Sequence, residues 1–70
     1  MREIGQRLNA QEAQAAIERL QAYSLEWGDY ESFGSEAHKA VRVADGLIAF
    51  IECHHALPAS LSEEESFALA

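Results

Sequence analysis

The sequence predicts an all-α fold: an antiparallel helical hairpin that dimerises into a four-helix bundle, followed by a tail that either is flexible or forms a short C-terminal helix. Three observations lead there. Apolar residues recur at helical spacing from Ala13 to Trp27, a second and wider apolar pattern runs from Ala37 to Ile51, and between them lies GDYESFG, with the Gly, Asp and Ser content of a connecting loop.

The first helix is expected over about 10–27, starting after Asn9, whose side chain can accept a backbone N–H while Glu12 reaches back in an N-x-x-E capping box. Ala13, Ala16, Ile17, Leu20, Tyr23, Ser24 and Trp27 share one face, and Glu12, Gln14, Glu18, Arg19 and Glu26 lie away from it. Gly28 ends the pattern, and a loop over about 28–34 suits an antiparallel hairpin. The second helix is expected over about 36–57, with Ser35 as N-cap, Glu36 favourably placed for the helix dipole, and His54 and His55 in the last turn. Pro58 is read as its stop, because it lacks an N–H and biases Leu57 away from helical geometry. The tail over 58–70 is either flexible or carries a third helix opened by the Ser62/Glu65 capping-box spacing, and Ile4 and Leu8 belong to an arm that docks on the bundle or frays.

Self-association follows from the width of the second apolar face. At about 100° per residue, Ala37, Ala40, Val41, Val43, Ala44, Leu47, Ile48, Phe50 and Ile51 cover roughly half the circumference, more than one partner helix can bury. Each large side chain left wet forgoes about 1.5–3 kcal/mol. A chain of 70 residues is near the lower limit for a self-sufficient core, and a single cysteine, Cys53, excludes an intrachain disulfide. A homodimer through Val41, Val43, Ala44, Leu47, Ile48, Phe50 and Ile51 is therefore expected, with Ala37, Ala40 and Ala44 allowing close approach; the alternatives are that Ile4, Leu8, Leu61, Phe67 and Leu69 fold back over that face, or that the face is kept for a different protein.

The formal charge of −7 arises from twelve acids against five dispersed bases, Arg2, Arg7, Arg19, Lys39 and Arg42. That argues against direct nucleic-acid binding, which needs concentrated positive charge, and for a partner protein with a basic or apolar surface. The lone cysteine and the lack of a signal-like or membrane-spanning apolar run point to a cytoplasmic protein that does not enter the membrane.

The segment holding Glu26, Trp27, Asp29, Tyr30, Glu31 and Phe33 interleaves aromatics with acids and is the expected partner-binding site, since aromatics dominate interaction hot spots and acids steer basic partners. Catalysis is not expected, for no phosphate loop, nucleophile motif or paired carboxylates stand out. No cofactor or metal is expected either: Cys53, His54 and His55 are adjacent, so on a helix they diverge, and only Glu52 and His55 have i, i+3 spacing. Gly46 within the second helix costs about 1 kcal/mol against Ala and asks for a close approach or a function.

The resulting reading is a small acidic adaptor or inhibitor, of the class found among phage and bacterial accessory proteins that block a host protein complex. Two alternatives are a metal- or redox-responsive module using Cys53, His54 and His55, and an inhibitor that mimics phosphate charge through Glu26, Asp29, Glu31 and Glu36.

Overall fold

A computed structural model describes residues 2–28 and 34–70. Its elements run β1 (Ile4–Arg7), α1 (Ala10–Gly28), α2 (Ser35–His54), β2 (Ala56–Pro58) and α3 (Glu63–Leu69). The domain is mostly helical, a packed α1–α2 hairpin with a short C-terminal helix, but the all-α expectation is corrected by an antiparallel pairing of β1 with β2.

Each helix starts where local chemistry dictates. The Asn9 side chain accepts from the Glu12 N–H at 2.7 Å while the Asn9 N–H donates to the Glu12 carboxylate at 3.0 Å, so two N–H groups lacking helical acceptors are satisfied together. Ser62 and Glu65 form the same reciprocal box for α3. At α2 the expected cap is displaced by one residue: Gly34, with a φ of 55°, takes the cap position without a side-chain bond, and Ser35 becomes the first helical residue.

The second helix does not reach residue 57. It ends at His54, because His55 adopts a left-handed conformation (φ 52°, ψ 41°) that turns the chain, its N–H still bonded to the Ile51 carbonyl at 2.8 Å. Ala56–Pro58 then run extended, so Pro58 lies in a strand, four residues beyond the real stop. The Leu8 N–H donates to the His55 carbonyl and the Ala59 N–H to the Glu3 carbonyl, framing the ladder. Ile4 pairs with Pro58 and Arg7 with Ala56, so β1 takes three steps where β2 takes two and the surplus residue makes a bulge.

The core lies between α1 and α2 and is closed by α3. Among the described residues nine hydrophobic ones are buried, of which Leu20, Leu47 and Ile51 are the large, fully buried ones and six are alanines, including Ala37, Ala40 and Ala44. Small side chains let helices approach closely, but they leave little apolar volume to hold the fold. Leu8, Leu57, Leu61 and Leu69 pack onto this core from the termini, so part of the wide apolar face is covered within one chain. Phe67, by contrast, is 72% exposed.

One charged residue is buried among the described residues, Glu65 at 9% exposure. Its carboxylate accepts two N–H donors of Arg2, one at 2.8 Å, and the Ser62 backbone N–H at 2.9 Å, while Arg2 also donates to the Ser60 carbonyl. Arg2 chiefly, opposed by burial, holds the Glu65 pKa down at about 2 from 4.5. The unfolded chain therefore takes up a proton at a pH where the folded chain refuses it. This stabilisation is complete above pH 4.5 and disappears as the pH falls toward about 2. Because Arg2 is half-exposed and screened, the effect should be about 1–2 kcal/mol, below the full free-energy equivalent of the shift. Thermal melts from about pH 6 down to about pH 2.5 should show this step in the native chain and lack it in Glu65→Gln.

Candidate functional site

A concavity is built where three helices meet at the hairpin end nearest Gly28 and Gly34. From α1, Tyr23 and Trp27 stand one turn apart with ring centroids 6.3 Å apart and planes tilted by 55°. From α2, Glu36, Lys39, Ala40 and Val43 form the facing wall, and Glu64 of α3 closes the mouth, enclosing about 240 Å³. Tyr23 also borders a second depression with Glu63, Glu64 and Phe67, so the two share an aromatic divide.

Charge at the rim is mostly negative. Lys39 Nζ lies 3.1 Å from Glu64 Oε1, but both side chains are well exposed, so the pair is weak and easily exchanged for an incoming cation. The Glu64 carboxylate is held below its ordinary pKa by its own backbone N–H first and by Lys39 second, so it stays ionised at neutral pH. An apolar floor with aromatic walls and carboxylate rims suits an apolar side chain flanked by basic residues.

Of the residues expected to bind a partner, Trp27 lines this groove and Glu26 is exposed on the same helix; Asp29, Tyr30, Glu31 and Phe33 lie outside the described residues. The expected dimer residues divide. Ala44, Leu47 and Ile51 are fully buried in the chain's own core, whereas Val41, Val43, Ile48 and Phe50 are partly buried. Val43 faces the groove, and the Phe50 ring packs against His54 at 4.5 Å.

The alternative ligand cluster is dispersed by the helix end. Cys53 is exposed, His54 turns to Phe50 and His55 leaves the helical path; among the described residues, no three His, Cys, Asp or Glu groups are placed to hold a metal ion. Of the acids offered as phosphate mimics, Glu36 lines the groove while Asp29 and Glu31 fall outside the described residues. No described helix is long and apolar enough to cross a membrane.

Sequence reasoning overlooked Lys39, Glu63, Glu64 and Phe67 as groove residues and assigned Tyr23 to the hairpin interior. The available signal was Phe67, an aromatic residue just after an acidic capping box. Comparison of the chain with protein-family models, with curated proteins and with solved structures finds no match.

Proposed function

We propose that this chain is a small acidic adaptor or inhibitor that binds another protein, without catalysis, through the groove between α1, α2 and α3. The observation that carries this reading is the pairing of Tyr23 and Trp27 with Glu36 and Glu64 around an apolar floor of Ala40 and Val43. An aromatic side chain held in such a wall offers large contact area at little entropic cost, and the surrounding carboxylates select a basic partner and accelerate encounter. Phe67 extends the apolar strip and is already exposed, so its contacts with a partner come without unfolding any of the core.

The test is a peptide selected on the folded chain from a random library and titrated by heteronuclear NMR. Shifts should centre on the Trp27 indole N–H, Tyr23, Val43 and Phe67. Replacing the exposed Phe67 with Ala should weaken the complex roughly tenfold while leaving the melting temperature nearly unchanged. Selected peptides that shift other surfaces, or bind Phe67→Ala equally well, would remove this groove from consideration.

A further inference from the structure

The hairpin has two sides, and among the described residues the depressions it shares with β2 and α3 fall on one of them. Leu57 and Leu69 line one depression with Ala16 and Arg19 of α1, where Arg19 donates to the Leu69 carbonyl, while Glu64 pairs with Lys39 and lines the aromatic groove with Val43 of α2. Projected at about 100° per residue, these α1 and α2 positions share the α3 side, whereas Ile17, Ser24 and Leu25 of α1 and Val41 and Ile48 of α2 point to the other. On that other side Leu25 is 72% exposed and the remaining four are only partly buried.

Charge on the uncovered side is one-sided. Its rim carries Glu18, Asp45 and Glu52, all exposed. Three of the five Lys and Arg are engaged elsewhere, Arg2 with Glu65, Lys39 with Glu64 and Arg19 with the Leu69 carbonyl, while His38 stands beside Val41 at one end of the face. Two copies meeting through this face would bring like-charged rims together, which disfavours the expected homodimer here. A cationic rim opposite would be attracted.

We infer that this uncovered side of the hairpin docks a cationic amphipathic helix of a partner protein, its apolar stripe on Ile17, Leu25, Val41 and Ile48 and its basic edges on Glu18, Asp45 and Glu52. The seam between two antiparallel helices is the natural seat for a third helix, and α3 already occupies the equivalent seam on the opposite side. Trp27 borders both this face, beside Val41, and the aromatic groove, so the two readings are told apart by Phe67, which lies on the α3 side alone.

The probe is a peptide of roughly 18 residues, five helical turns, with Leu along one face and Lys along the other, beside a scrambled peptide of the same composition. Calorimetric titration should give one peptide per chain, with roughly tenfold weaker binding for the scrambled sequence and for Val41→Lys. Asp45→Lys, at an exposed position that leaves the core intact, should weaken binding to a similar degree, and Phe67→Ala should leave it unchanged. Equal binding of both peptides would reduce the effect to unspecific ionic attraction and overturn the proposal, as would insensitivity to Asp45→Lys. Sedimentation equilibrium showing a dimer that Val41→Lys dissociates would give this face to a second copy and overturn it too.

Discussion

Leu47→Ala should destabilise the domain by about 2–5 kcal/mol, the range for truncating a fully buried leucine that leaves a cavity. For a chain this short, typical total stability is about 3.5–10 kcal/mol, so the variant loses a large part of what holds it together. The core offers little to compensate. Leu20 and Ile51 are the other large side chains fully out of water, and the alanines around them cannot move to fill a hole. Urea unfolding followed by Trp27 fluorescence measures the loss, with Leu25→Ala as the contrast. Leu25 is on α1 but largely exposed, and its truncation should change stability by under about 0.5 kcal/mol. Similar losses for the two variants would mean that the core lies elsewhere than between α1 and α2.

The second large effect is expected from Gly5→Ala, one methyl group on the shortest element pair of the fold. A Cβ at Gly5 would lie 2.7 Å from the Ala59 Cα, 2.8 Å from the Pro58 carbonyl oxygen and 2.9 Å from the Ala59 nitrogen. All three are backbone atoms, so no side chain can swing aside and the strands must separate. Overpacking of this kind costs about 1–3 kcal/mol, partly offset by about 0.4–1 kcal/mol from the lower entropy of the unfolded alanine chain. Separation breaks the Ala59 N–H bond to Glu3 and displaces Arg2 from Glu65. Hydrogen exchange should therefore quicken at the Ala59 and Leu8 amides before it does in α1 or α2. Unchanged protection at both amides in the variant would show that the bulge tolerates a Cβ.

The starts of α1 and α3 were legible because they depend on residues three apart, whereas the cap of α2 falls on Gly34 and not on the expected Ser35. The Asn9/Glu12 and Ser62/Glu65 boxes appear in the fold as the sequence implies. The strands were not, since β1 and β2 hold four and three residues, include Gly5 and Pro58, and acquire their extended form from pairing across the length of the chain. Apolar periodicity carried the second helix forward to Leu57, and only the left-handed turn at His55, which costs a histidine less than a branched residue, explains its earlier end. The same long-range logic hides the groove. Tyr23 and Trp27 follow from helical spacing, but Glu64 and Phe67 join them only once α3 has docked.

Gly46 shows how a local rule can fail to find its reason inside a chain. A Cβ there would meet nothing within 4 Å, so no neighbouring helix of the same chain requires the glycine. Its replacement by Ala is free of steric conflict in this fold.

The pairing of β1 with β2 also sets the order in which a growing chain can mature. The first strand leaves the ribosome well before its partner and finds it only after the whole hairpin has followed, and Arg2 waits still longer for Glu65. During that interval the α1–α2 seam stands open along its entire length, including the side that α3 later seals. Synthesis thus passes through a stage in which both flanks of the hairpin are equally accessible, and the arrival of α3 decides which of them stays so.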